Sequence, residues 1–175
     1  MPTPLLDDRF WTFEELGKLP DDNNRYEVVD GNLVVTPPPS QFHQLVSNEL
    51  RDQLAASCPG QWRVLVEFAL PLGTDGRVPD IAVVRRDAPI RHRSLRYPAS
   101  AEWFGLVVEV VSPRTAKTDR FAKPGEYAAA AIPLFWRVEL TPEVTIHPFE
   151  LRGDSYQPSP LLAPWGEVTI DLSQF

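Results

Sequence analysis

Glu109 lies inside the apolar run Leu106-Val107-Val108-Glu109-Val110-Val111. A glutamate is seldom fully buried without a partner. Left charged and alone in an apolar interior it would cost several kcal/mol or take up a proton. Three compensations are open: an ion pair with an arginine, a place at a sheet edge, or a metal ion. Asp80 bears on the choice. In the strand read over Val78 to Val84 it shares a face with Val78, Ala82 and Val84, while Glu109 shares a face with Val107 and Val111. If the two strands pair in suitable register, both carboxylates project from one face. Two close carboxylates repel, so a divalent cation is a natural compensator, and oxygen ligands suit Mg²⁺ or Mn²⁺. Asp80 taken alone also reads as a turn aspartate after Pro79. Glu27 is a third acidic candidate, facing inward with Val29 or outward into solvent. Lys123 is either a cation serving this cluster or a solvated surface lysine.

Other chemistry is poorly supported. His43, near the start of a helix, reads as a surface or capping histidine. Ser112 lacks the Gly-x-Ser-x-Gly elbow that a nucleophilic pairing with His43 would want. The chain contains no glycine-rich phosphate loop and no Cys/His zinc spacing.

These residues need elements to hold them. Thr12 to Leu16 reads as a short helix with Thr12 and Glu15 as a capping box. Arg25 to Val35 reads as a hairpin turning at Asp30-Gly31 and ended by Thr36-Pro37-Pro38-Pro39. Ser40 caps a helix to about Ser57, with Phe42, Leu45, Val46, Leu50 and Leu54 on one face. Strands are expected over Arg63 to Leu70, with Val64, Val66, Phe68 and Leu70 on one face, and over Val78 to Val84. A mobile basic loop is expected over Arg85 to Ser100. Gly105 to Val111 is a near-continuous apolar run, the pattern of a strand covered on both faces. A second helix ends around Tyr127 to Ala131. Leu134 to Leu140 and Val144 to Glu150 form a hairpin about Thr141-Pro142-Glu143, and Val168 to Leu172 is the last strand. The order predicts a single α/β or α+β domain spanning residues 1–175, with a mixed central sheet, a helix on each side and an N-terminal β-hairpin.

Composition narrows the class. A chain of 175 residues with 43% hydrophobic content can bury a core. Lys+Arg 17 against Asp+Glu 24 gives a net charge of -7, which argues against a broad DNA-binding surface but leaves room for a local basic cleft. Arg85, Arg86, Arg91, Arg93 and Arg96 are candidates for one, or form a solvated loop. The single cysteine, Cys58, permits no internal disulfide. No signal peptide is expected, because the opening segment has neither a basic nor an apolar leader region. No apolar run approaches the roughly 20 residues of a membrane span, so a cytoplasmic protein is expected. Trp62, Trp103, Trp136 and Trp165 read as core anchors or interface residues.

Val78-Pro79-Asp80 followed by Val107-Val108-Glu109-Val110-Val111-Ser112-Pro113 resembles the Uma-type restriction endonucleases of bacteria, within the PD-(D/E)xK nuclease superfamily. Tyr26 to Gly31, Pro37 to Ser40 with His43, Asp119, Lys123, Tyr127 and Ile132 to Val138 extend the likeness over most of the chain. The resemblance implies a restriction-endonuclease-like fold, a homodimer, and Mg²⁺-dependent hydrolysis of DNA phosphodiester bonds. It implies Asp80, Glu109 and the Val110 carbonyl as metal ligands, Lys123 as the cation that serves the attacking water or the phosphate, and Glu27 at the edge of the site. One departure stands out: the superfamily places lysine two residues after the glutamate, and here that residue is Val111. Lys123 replaces it in the comparison, but Pro124-Gly125 puts Lys123 in a loop or at a helix start. Two other readings remain: a non-catalytic binding protein that keeps the fold, and a structural buried-acid cluster without metal.

Overall fold

The structure, a computed structural model, describes residues 3–4, 9–20, 22–92, 95–98 and 100–175, with backbone alone at 3–4, 90–92 and 95–98. β1 (Thr3–Pro4) precedes a 3-10 turn over Phe13–Lys18. The Glu15 carboxylate accepts from the Thr12 backbone N–H at 2.9 Å, as the capping-box reading requires. β2 (Arg25–Val29) and β3 (Asn32–Thr36) pair antiparallel about Asp30-Gly31. Both turn residues have positive φ, 50° and 72°, the handedness that matches strand twist in a two-residue hairpin.

α1 (Gln41–Ser57) is capped by Ser40, whose Oγ accepts from the His43 N–H at 3.2 Å. Its buried stripe is His43, Val46, Ser47, Leu50 and Leu54. Phe42 and Leu45, expected on that face, are 44% and 55% exposed. The helix is rotated so that His43 faces inward, where the Val110 carbonyl and Asp80 supply it with partners. Phe42 instead meets the C-terminal Phe175 edge to face.

The strand expected over Arg63 to Leu70 is broken. β4 (Trp62–Val66) ends at Glu67, which has φ 47°. Val64 packs on the α1 side of the molecule, whereas Phe68 and Leu70 join a different cluster. After the break the chain crosses to the first sheet. There β5 (Leu70–Leu72) and β6 (Asp75–Arg77) add to β2, giving the order β1-β3-β2-β6-β5. β7 (Ile81–Arg85) returns to the main sheet. The segment expected as a mobile loop contains two paired strands, β8 (Ile90–His92) and β9 (Leu95–Pro98). Arg93 lies outside the described residues, as do the side chains of Arg91 and Arg96.

β10 (Phe104–Val110), β11 (Leu134–Glu139), β12 (Thr145–Arg152) and β13 (Ser155–Pro158) complete the six-stranded sheet β13-β12-β11-β10-β7-β4. β10 and β11 are parallel and the other neighbours antiparallel, so the sheet is mixed as expected. Every residue of β10 is buried because both faces are covered. One face packs on Val46, Leu50 and Leu54 of α1. The other packs on Tyr127, which belongs to α2 (Lys123–Ala129).

No strand forms over Val168 to Leu172. β14 (Leu162–Ala163) and β15 (Gly166–Glu167) make a small turn, and the chain beyond lays Val168, Ile170 and Leu172 on the α1 face of the core. The alternation is real, but the backbone finds other partners: the Asp171 N–H and carbonyl are bonded by the Gln53 side chain at 2.7 and 2.8 Å. Among the described residues no helix is long and apolar enough to cross a membrane.

Gly105 shows how closely the C-terminal segment presses on the sheet. A Cβ there would lie 2.5 Å from Pro164 Cγ and 2.8 Å from Trp62 Cζ3. Gly105→Ala is expected to cost about 1–3 kcal/mol of stability through overpacking, read as a lower urea midpoint. An unchanged midpoint would mean that these groups yield freely.

Candidate functional site

The antiparallel register Val107↔Ala82, Val108↔Ile81 leads on to Glu109 opposite Asp80 at the carboxyl end of β10. Carried one residue further, this register brings the two acids close enough for the Asp80 charge to raise Glu109. Glu109 is fully buried, with Oε2 accepting from Lys123 Nζ at 2.8 Å and Oε1 from the Tyr127 hydroxyl. Asp80 accepts from the Val110 backbone N–H at 2.7 Å through Oδ2 and from Arg25 Nη2 at 2.7 Å through Oδ1.

Lys123 opens α2 with helical φ and ψ of -58° and -41°, the helix-start alternative. Pro124 is tolerated because the first turn has no use for its missing N–H. Immediately before it, Thr118–Ala122 forms a wide π-turn, and the Lys123 N–H reaches back to the Thr118 carbonyl. This geometry turns Lys123 inward. Its Nζ lies 3.0 Å from Asp119 Oδ1 and 3.9 Å from Glu27 Oε1 in addition to its bond with Glu109.

Glu27 faces inward from β2. It accepts from the Val78 N–H at 2.8 Å and lies 3.3 Å from Arg77 Nη1, while Arg77 also grips Glu126 with two bonds of 2.7 Å. His43 is buried rather than a surface or capping residue. Its Nε2 lies 2.9 Å from the Val110 carbonyl and 3.4 Å from Asp80 Oδ2. A carbonyl cannot donate, so Nε2 carries the hydrogen. Ser112 bonds Thr115 at 2.9 Å in the turn after β10, while the His43 ring has Ser47, Val110 and Asp80 as its partners.

The structure therefore brings Glu27, Asp80, Glu109 and Lys123 together. Sequence reasoning did not single out Arg25 or Arg77, and it used Asp119 and Tyr127 only as points of resemblance. A signal for Arg25 was present, since it alternates with Glu27 along β2. Arg85 and Arg86 are engaged elsewhere, with Asp87 and with the Gly60 and Trp62 carbonyls.

The family whose sequence profile matches residues 13–173 is Uma2, described as "Putative restriction endonuclease". The chain belongs to the Uma2 family. A solved structure from Anabaena variabilis ATCC 29413, titled as a putative nuclease belonging to DUF820, is similar over 91% of this chain and 94% of its own, with TM-score 0.64 and 18% identity. That likeness supports the fold: a mixed sheet with few helices, shared with a nuclease-type neighbour. No curated protein matches the chain.

The Uma2 site has a charge surplus. Four buried carboxylates, Glu27, Asp80, Glu109 and Asp119, face three permanent cations, Arg25, Arg77 and Lys123. Burial pushes Glu109 up to about 8; Lys123 opposes the shift, and Asp119 and Asp80 add to it. Burial likewise raises Asp119 despite Lys123. Asp80 goes the other way: burial would raise it, but Arg25 and His43 hold it well below the usual carboxylate range. Burial disfavours the charged form of Lys123, yet Glu109, Glu27 and Asp119 raise it above its ordinary value, so it is a fixed cation.

The donor chemistry fits a hard divalent cation, because the candidate ligands are all oxygen and the carboxylate charge exceeds the resident positive charge. Among the described residues no group of three His, Cys, Asp or Glu side chains is arranged to hold a metal. The available set is two carboxylates and a carbonyl: Asp80, Glu109 and Val110. Each of these groups accepts hydrogen bonds from the protein, so a metal here would share them with resident donors. A cavity of about 300 Å³ gives access to Asp80 and is lined by Arg25, His43, Gln44, Asn48 and Glu67. A larger cavity of about 540 Å³ lies against Arg77 and Glu126, but neither Asp80 nor Glu109 lines it.

The two carboxylates give stability opposite pH dependences. With its folded pKa raised from 4.5 to about 8, Glu109 contributes stability that is full below the lower value and lost as pH rises through the upper one. Asp80, held down, contributes stability that is present above the ordinary carboxylate range and lost as pH falls through its depressed value. Glu109→Gln should therefore flatten the decline from acidic to mildly alkaline pH while leaving the acid limb in place. Urea melts across pH check this, and a wild-type slope in the variant would show that Glu109 is ionised in the fold.

Proposed function

We propose that this Uma2 protein is an Mg²⁺-dependent endonuclease that hydrolyses DNA phosphodiester bonds, with Mn²⁺ able to replace Mg²⁺. The observation that carries the reading is the convergence of Asp80, Glu109 and Lys123 at the end of β10, beside a cavity that reaches Asp80. Asp80, Glu109 and the Val110 carbonyl would hold the metal, which supplies Lewis acidity and lowers the pKa of a bound water. Lys123 is charged through the neutral range, so its part is to donate hydrogen bonds to a water or phosphate oxygen and stabilise developing negative charge, not to accept a proton. Tyr127 fixes the Glu109 carboxylate in place, and Asp119 and Glu27 hold the Lys123 ammonium beside it.

A second reading, a binding protein that keeps the fold without catalysis, is favoured by the hydrogen bonds already made to the candidate ligand groups. Calorimetric titration with Mg²⁺ and Mn²⁺, followed by incubation with plasmid and single-stranded DNA, separates the two. The expected outcome is metal-dependent cleavage that is lost in Asp80→Asn and Glu109→Gln. In Lys123→Ala it should fall by about 10²–10³-fold, with metal binding retained. Metal uptake without cleavage would favour the second reading, and no uptake would end the first.

A further inference from the structure

Arg25 occupies an unusual position at the mouth of the cavity over Asp80. Its Nη2 lies between two carboxylates, 2.7 Å from Asp80 Oδ1 and 3.0 Å from Glu67 Oε1. The two differ sharply in exposure: the Asp80 side chain is 2% exposed and that of Glu67 55%. Glu67 itself has a backbone conformation that glutamate seldom adopts, with φ 47°, and its N–H bonds the Asp80 carbonyl at 3.1 Å. That kink ends β4 and delivers the Glu67 carboxylate to the outer side of Arg25.

We infer that Arg25 is the resident counter-ion of Asp80, that it competes with the divalent cation for this carboxylate, and that Glu67 receives the guanidinium when the cation binds. The inference rests on the metal reading above. Asp80 Oδ2 is tied to the Val110 backbone N–H, which cannot leave without breaking β10. Oδ1 is held by a side chain, so it is the edge that can open. Arginine does not lose its proton under ordinary conditions, so the competition is between two cations and is not relieved by deprotonation. Glu67 already touches the same nitrogen. Rotation of the end of the side chain therefore moves the charge from one carboxylate to the other without stranding it in the apolar interior. Resting on Asp80, Arg25 offsets part of the site's negative surplus; moved to Glu67, it lies on the cavity side.

Mn²⁺ calorimetry and thermal melting with and without Mn²⁺, on the full chain and three variants, test this. Arg25→Met removes the competitor and should bind Mn²⁺ about tenfold or more tightly, with a larger Mn²⁺-induced rise in melting temperature. Arg25→Lys keeps a cation and should stay close to the native affinity. Glu67→Gln removes the receiving partner and should weaken Mn²⁺ binding severalfold. Its exposed position keeps the test in force if Arg25→Met does not fold. Uptake by the native protein with equal or weaker affinity in folded Arg25→Met, or native affinity in Glu67→Gln, overturns the role of Arg25 and leaves the metal reading standing. Absence of Mn²⁺ uptake by the native protein overturns the metal reading, and this inference with it.

Discussion

A carboxylate with no solvent exposure in the central strand of a mixed sheet has to be matched by donors, and much of the local architecture serves to bring those donors to Glu109. β10 is covered on both faces and Glu109 has no solvent exposure. Lys123 and Tyr127 come from α2 and bond Glu109 directly, while Glu27 of β2 stands on the far side of the Lys123 ammonium. The π-turn before α2 becomes intelligible in this light. It widens the backbone just ahead of Pro124 and sets Asp119 and Lys123 beside one another, so that the lysine carries one carboxylate with it and meets two more. The rotation of α1 has the same origin, since His43 turned inward satisfies both the Val110 carbonyl and Asp80.

Such a cluster is a poor way to gain stability. Desolvating several charges costs about as much as their pairing returns, and apolar replacements of similar shape often do as well or better. The surplus of carboxylates makes it poorer still. A fold that places Glu109, Asp80 and Asp119 near each other tolerates their repulsion, a local conflict of the sort that concentrates at functional sites. A fixed Lys123 cation beside Glu109, with Arg25 and His43 beside Asp80, contains the conflict, yet burial still raises Glu109 and Asp119.

Those parts of the fold whose signals are local were legible from the sequence. The Asp30-Gly31 hairpin, the Ser40-capped helix, the buried run at β10 and the β11–β12 hairpin each follow from a few neighbouring residues. The errors arose where a distant partner decides the outcome. Val66, Phe68 and Leu70 alternate correctly, but the left-handed backbone at Glu67 sends them to different places, and no residue within that stretch announces it. Phe42 and Leu45 fit an apolar stripe, yet the polar partners of His43 set the rotation. The candidate site divides the same way. Glu109 was readable because it interrupts a buried strand, and Asp80 because it stands at the start of one. Arg77 was not, and the alternation of Arg25 with Glu27 was too slight a signal, because an arginine on a short strand reads as solvated until the opposing carboxylate is located.

The site also depends on both sheets. Arg25, Glu27 and Arg77 belong to the first, Glu109 to the second, and Asp80 directly precedes the β7 strand of the second. Glu27 accepts from the Val78 N–H just where the chain passes from β6 toward β7, so its carboxylate fixes the segment that delivers Asp80 to the end of β10. Arg77 anchors the same segment to α2 through Glu126. The acidic pair is therefore positioned by strand register together with polar contacts from both sheets, not by the apolar packing of a single layer. Its geometry will follow the balance of charge around it, whereas the sheet behind it, held by two apolar clusters, will not.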